Sequence, residues 1–205
     1  MTVSSSEKIR NRIKRNSQGA FFILNDFLDI ANRDVAKKEV NRLVREDVLG
    51  RVYSGIYQKK KINKLFNREV PPSHHQIILQ IARKNNQQIV PAGNTALNLV
   101  GLSTQIPTIS EYITNGPSRK IQFPSGPPAI FRHSGTKKFF ANPEVNLMLE
   151  ILTYLDEKDI TENTLKILGK RLSVSDFNDL KKAANKSTNK LRAYVLMLGN
   201  YVNND

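Results

Sequence analysis

Lys38, Asn41, Arg42 and Arg45 recur on one face of a short helical stretch, with Asp34 a turn earlier. Cations at this spacing neutralise phosphate. An asparagine carboxamide pairs bidentately with adenine, and an arginine reads guanine. The chemistry on offer is recognition of duplex nucleic acid rather than bond making. Arg33 and Lys37 belong to the same stretch, and Arg51, Ser54 and the run Lys59-Lys60-Lys61 follow it. Asn41 is expected at a base edge, with Arg42 or Arg45 beside it. Arg51 and Lys59 to Lys61 are expected on phosphate, which positions a protein without specifying sequence.

Catalytic readings fare poorly. His74 and His75 are adjacent and would leave a helix on different sides, so they form no paired metal site. No HExxH is present. His133 stands alone on a strand-like run and reads as surface or core. Residues 70–140 hold one carboxylate, Glu111, whereas a two-metal site gathers several. Glu144, Glu150, Asp156, Glu157, Asp159 and Glu162 lie among lysines and read as a solvated face. Gly93-Asn94-Thr95 opens a helix, whose N–H groups can hold an anion, but it lacks the lysine and spacing of a P-loop. There is no cysteine, hence no disulfide and no thiolate metal site. The expectation is a protein that is not an enzyme, with no catalytic residue, metal or cofactor.

The basic face needs a carrier. Ala36, Val40, Leu43 and Val44 make an apolar stripe at i, i+4, i+7 and i+8, and Asn32 or Asp34 can cap the helix start. Val52-Tyr53 and Ile56-Tyr57 flank Ser54-Gly55, the pattern of a tight hairpin in which glycine supplies a positive φ. A helix with a basic outer face followed at once by a hairpin is the plan of a winged helix. Upstream, Ser6 to Asn16 predicts a first helix with Ile9 and Ile13 inward. Ala20 to Leu24 is a buried strand or a helix entry, and Asn25 can cap a second helix running to Ile30. These elements make residues 1–69 a winged helix-turn-helix domain.

Val70-Pro71-Pro72-Ser73 marks the expected boundary, because two prolines forbid helix. The second domain is expected over 70–205. His74 to Asn85 predicts a helix, Gln87 to Val90 a strand and Gly93 to Gly101 a short helix. Glu111 to Thr114, Lys120 to Phe123 and Ala129 to His133 read as strands separated by turns at 115–118 and 124–128. They suggest a small antiparallel sheet within about 87–133. Helices follow over about 142–202: one opened by Asn142-Pro143, one over Thr161 to Leu168, one begun by the capping box Ser173 to Asp176, and one over Thr188 to Val202. The fold class expected is α+β.

Phe22, Asp26-Phe27, Arg33, Val40, Leu43, the run Val48-Leu49-Gly50-Arg51-Val52 and Gly55-Ile56-Tyr57 together resemble the winged-helix domain of AbiEi-type antitoxins. That family is the DNA-binding half of type IV toxin–antitoxin pairs. The resemblance continues through Pro91 to Asn98, Gly101 to Pro107 and Tyr112 to Gly116, covering roughly Ser4 to His133. The run from Pro91 to Pro107 is the specific part, since its residue order has no generic structural explanation. The resemblance implies an antitoxin that represses its own operon by binding operator DNA and neutralises a toxin of the nucleotidyltransferase type. Ser103, Thr104 and Gln105 in the loop, with Arg119, Lys120 and Arg132 on the strands, are the candidates for toxin contact. Oligomeric state is left open, monomers binding DNA repeats cooperatively being one arrangement.

Charge agrees with a polyanionic partner. The net charge is +14. Residues 1–69 hold 16 Lys/Arg against 8 Asp/Glu and residues 70–140 hold 7 against 1, whereas residues 141–205 balance at 9 and 9. Neutralised phosphates release counterions and drive binding, although the same charge also serves solubility. RNA binding fits the charge too, but there is no Trp and no aromatic-rich basic strand of the kind on which single-stranded bases stack. A stand-alone winged-helix regulator, its C-terminal domain sensing a ligand or mediating assembly, is the alternative. No apolar run approaches the roughly 18 residues that span a bilayer. The N-terminal stretch has no signal core, so a cytoplasmic protein with no membrane partner is expected.

Overall fold

Each helix of the first unit starts where a short oxygen side chain can accept a backbone N–H. Ser4 accepts from Glu7 and opens α1 (Ser5–Arg15), and Asn32 accepts from Val35 and opens α2 (Arg33–Arg45). Between them lie β1 (Phe21–Ile23) and a single 3-10 turn, Leu24–Phe27. That turn stands where a second helix capped by Asn25 was expected. Asp26, not Asn25, makes the cap, its carboxylate accepting from Ile23 N at 2.9 Å, and the segment up to Asn32 is too short to propagate a helix. The computed structural model describes residues 3–124, 126–135 and 139–202. Ser125 of the expected turn and the last three residues of the expected second domain lie outside them.

β2 (Leu49–Tyr53) and β3 (Ile56–Lys59) follow α2 and form the hairpin, and β1 pairs antiparallel with β3 to give the order β1-β3-β2. Gly55 has φ +69°, as the turn requires. This order of helix, strand, turn, helix and hairpin is the winged-helix arrangement. Its core is Ile9, Ile13, Phe22, Phe27, Ala36, Val40, Leu43, Leu49 and Tyr57, with Phe22 stacked on Phe27 at 5.8 Å.

α2 buries a different set from the stripe read in the sequence. Val44 is only half-buried, and its place on the inner face is taken by Glu39, 4% exposed. A buried carboxylate needs a partner. Arg10 of α1 supplies it at 3.1 Å, and the same guanidinium holds Glu46 at 2.7 Å.

A second hairpin, β4 (Ile62–Asn63) with β5 (Arg68–Glu69), follows the first. Ser73 then caps α3 (His74–Lys84) in a reciprocal box with Gln76. Packing divides the chain after Asn86, into residues 1–86 and 87–205. The sequence reading set its boundary at 69/70, at the prolines. α3 belongs with the first unit because it packs on β3, Lys84 Nζ donates to Ser54 O at 2.8 Å, and Arg83 pairs with Asp26.

The second unit holds β6 (Ile89–Pro91), α4 (Gly93–Leu99), β7 (Ser110–Thr114), β8 (Arg119–Ile121) and β9 (Ala129–His133). Its sheet order is β6-β7-β9-β8. Both outer pairs are antiparallel, but the central pair β7–β9 is parallel. The chain from β7 to β8 arches over the end of β9 at residues 115–118. His133 fastens the arch, its N–H donating to Ser118 Oγ and its Nδ1 lying 2.8 Å from Gly116 O. The helices are α5 (Pro143–Tyr154), α6 (Glu162–Gly169), α7 (Val174–Ala184) and α8 (Asn189–Leu198). Asn142 caps α5 with proline in the first turn, and Ser173 and Asp176 box the start of α7. Val145, Met148, Leu152, Leu168, Leu180 and Leu198 lead one core shared by all four. The fold is α+β, and no helix of the described residues is long and apolar enough to cross a membrane.

Hydrogen bonding to Arg10 holds the Glu46 carboxyl below the ordinary glutamate value of 4.5. Its contribution to stability is therefore complete above that value and lost as pH falls through the lowered one. Arg10→Met should cost about 1–3 kcal/mol at neutral pH, mainly by leaving buried Glu39 unpaired. Urea midpoints should show the gap between wild type and variant closing as the solution is acidified, and a constant gap would remove this pair from the stability of the unit.

Candidate nucleic-acid interface

At 100° per residue, burying Ala36, Glu39, Val40 and Leu43 turns Asp34, Lys38, Asn41 and Arg45 directly away from the core. Lys38 and Arg45 are exposed, as are Lys37 and Arg33 nearer the edge, and Asn41 is half-buried between them. None of these five side chains has a hydrogen bond or ion pair among the described residues. Arg42 differs. It lies to the side, and its Nε donates to Glu46 Oε1 at 3.0 Å, tied into the cluster around Arg10. Of the two arginines expected as guanine readers, Arg45 is therefore the free one.

The hairpin distributes its expected contacts unevenly. Arg51 on β2 is exposed and unpaired among the described residues. At the tip, the Ser54 carbonyl accepts from Lys84, so α3 anchors this turn. Lys59 turns inward, its Nζ donating to Lys14 O at 2.9 Å and Asn16 O at 2.6 Å, where it closes the C-terminal end of α1. Lys60 pairs with Asp47 and Glu69, and the bond from Asp47 raises its ammonium above the ordinary value. The run read as three phosphate contacts thus reduces to Lys61. A strand alternates its side chains, and two of the three lysines here meet backbone carbonyls or carboxylates.

Two further exposed cations, Lys64 and Arg68, lie on the second hairpin. Between them Leu65 and Phe66 stand 89% and 72% exposed. The signal available in the sequence was the pair Asn63 and Asn67 bracketing an apolar dipeptide, a turn composition.

The candidates for toxin contact separate into two places. Ser103, Thr104 and Gln105 follow α4, where Asn98 Nδ2 donates to the carbonyls of Ser103 and Gln105 at 3.2 and 3.0 Å. Thr104 and Gln105 are exposed. On the sheet, Lys120 pairs in register with Ile130, so Lys120 and Arg132 share a face. Arg132 bonds Glu111 at 3.0 Å, and Lys120 is exposed. Arg119 does not join them. Its guanidinium lies 4.9 Å over the Phe131 ring and donates to Gln87 at 2.6 Å, a packing role.

The residues weighed for catalysis are occupied locally. Burial lowers the pKa of both His74 and His75, and His75 feels His74 as well. Thr95 Oγ1 accepts from Glu111 N, and Asn94 Oδ1 accepts from Tyr154 OH. Among the described residues no three His, Asp or Glu converge as a metal site.

The sequence profile described as "Family of unknown function (DUF6088)" matches residues 8–180. No curated protein matches the chain. Among solved structures, the RV2827C protein from Mycobacterium tuberculosis is similar at a TM-score of 0.42 and 11% identity, over 98% of this chain and 82% of that one. With most of its length inside the matched profile, the chain belongs to the DUF6088 family.

Proposed function

We propose that the protein is a type IV antitoxin that represses its own operon. The first unit binds operator duplex through α2, and the second neutralises a cognate toxin of the nucleotidyltransferase type. One observation carries the DNA-binding half: Lys38, Asn41 and Arg45 form an unpaired row on the outer face of a helix whose inner face is pinned by the core. A carboxamide between two free cations can read adenine while its neighbours hold phosphate or guanine. The first unit also carries most of the charge, 18 Lys/Arg against 8 Asp/Glu over residues 1–86, or +10. Support for the antitoxin half is the resemblance at Pro91 to Asn98 and Gly101 to Pro107, together with the exposed loop that Asn98 holds there. Recognition alone carries this function, with no metal or cofactor, and its setting is the cytoplasm.

Asn41→Ala should weaken the operator complex by roughly 1–3 kcal/mol and random duplex much less. Gel-shift titration on both duplexes measures the difference, and equal losses would take Asn41 out of base reading. Replacing Lys37 and Lys38 by glutamine should flatten the salt dependence by about one log–log unit per lost contact. Lys60→Gln should leave that slope unchanged and lower the melting temperature instead, because its ammonium is committed to Asp47 and Glu69.

Growth rescue tests the second half. Co-expressed with the product of the gene beside its own, expected to be a nucleotidyltransferase-type toxin, the protein should restore growth, and Thr104→Ala with Gln105→Ala should reduce the rescue while the protein stays folded. Full rescue by the double variant would move the contact to Lys120 and Arg132. Operator binding without any rescue by wild type would leave a stand-alone regulator in place of an antitoxin.

A further inference from the structure

The second hairpin is short and carries a tip that its own fold does not use. Ile62 pairs with Glu69 and Asn63 with Arg68, leaving a four-residue loop, Lys64 to Asn67. Asn63 Oδ1 accepts from Leu65 N at 2.9 Å and from Phe66 N at 3.3 Å. Asn67 closes the loop with φ +46°, a conformation that asparagine tolerates. The backbone of the tip is thus fixed by polar bonds, while its two large apolar side chains point into solvent. Holding Leu65 and Phe66 in water serves no packing in this unit.

We propose that Leu65 and Phe66 form a wedge that enters the minor groove of duplex DNA and partly unstacks one base step. This rests on the reading that α2 binds duplex. The chemistry around the tip matches that occupant. From Lys59 to Arg68 there are five cations and no carboxylate. Lys61, Lys64 and Arg68 are exposed, with no ion pair among the described residues. Such a tip presents an apolar point between groups that hold the two flanking backbones, the arrangement by which minor-groove proteins kink DNA toward the major groove.

The hairpin is also fastened to the DNA-reading element. Lys60, at its base, pairs with Asp47 in the turn that ends α2 and with Glu69 on β5. Val70 N donates to Lys61 O at 2.8 Å, and Ile62 N donates to Gln18. A wedge held this firmly loses little conformational freedom on insertion. Two side chains suit one base step, whereas stable attachment to a bilayer takes a larger apolar surface or a second anchoring signal.

The experiment uses the full chain, the duplex upstream of its gene, and the variant Leu65→Ser, Phe66→Ser. Circular-permutation gel shifts report bending, and 2-aminopurine placed at successive steps beside the footprint reports unstacking. Wild type should bend the duplex, with fluorescence rising at one step. The double variant, its melting temperature unchanged, should bind without bending and with roughly tenfold lower affinity, the order lost with one aromatic–base contact. Phe66→Trp should keep the bend. Asn41→Ala should lose sequence preference yet still bend the duplex at higher protein concentration, which separates the wedge from the base reader. Binding by wild type without a bend, or an equal bend by the double variant, overturns the wedge and leaves the DNA-binding reading standing. Absence of any duplex binding by wild type overturns both. Pelleting of wild type but not the double variant with phosphatidylcholine–phosphatidylserine vesicles, without a DNA bend, assigns the tip to a membrane and overturns the proposal.

Discussion

The guanidinium of Arg10 holds two carboxylates at once, Glu39 of α2 at 3.1 Å and Glu46 just past its end at 2.7 Å, and the placing of the outer face of α2 follows from that grip. Glu39 is buried, so its charge is tolerated only while Arg10 stays beside it. Glu46 in turn holds Arg42. The network joins α1 to α2 over two turns and sets the rotation of α2 about its axis. A purely apolar inner face could slide or roll by a fraction of a turn at modest cost. A buried carboxylate tied to one guanidinium cannot, because rolling would strand its charge. The outward direction of Lys38, Asn41 and Arg45 is the mirror image of this constraint.

The same economy decides which cations remain for a ligand. Lys59, Lys60, Arg83 and Lys84 all look alike in composition, yet each closes a contact inside the first unit. Lys59 meets the carbonyls that end α1, where a positive group is favoured by the helix dipole. Lys60 locks the second hairpin to the turn after α2, and Lys84 fixes the tip of the first hairpin. Arg83 meets Asp26 within the 3-10 turn. Left exposed, with no ion pair among the described residues, are cations on the outer face of α2, Arg51, those of the second hairpin from Lys61 to Arg68, and Lys8, Lys14 and Arg15 on α1. Two of these groups have distinct surroundings, one around a carboxamide and one around an apolar tip.

Much of the fold was legible residue by residue. Asn32, Asn142 and Ser173 were readable as caps because a cap bond spans two or three residues. Ile9 and Ile13 were readable as an inward pair because their spacing is that of the helix itself. The Ser54-Gly55 turn was readable from its glycine. Less legible was everything set by distant partners. Val44 looked like a core residue, but the inner face takes Glu39 in its place, and its partner there is Arg10, 29 positions away. The prolines at 71 and 72 looked like a boundary, but Lys84 reaches back 30 positions to Ser54 and draws α3 into the first unit. The candidate site was legible as a helix face and only in part as a set of contacts.

Taken alone, the sequence determined the α+β class, the winged-helix order of the first unit, the starts of α2, α5 and α7, and the helix that carries Lys38, Asn41 and Arg45. These depend on capping, periodicity and turn chemistry, which act over a few residues and are written in neighbouring side chains. Tertiary structure alone decided which of the cations are free, that Leu65 and Phe66 stand in water, and that β9 enters beside β7 in parallel under the arch of 115–118. Those outcomes depend on which distant group reaches a carboxylate, a carbonyl or a strand edge first. Side chains of one kind, a lysine on β3 and a lysine on the next hairpin, are alike in the chain and differ only in what the fold places beside them.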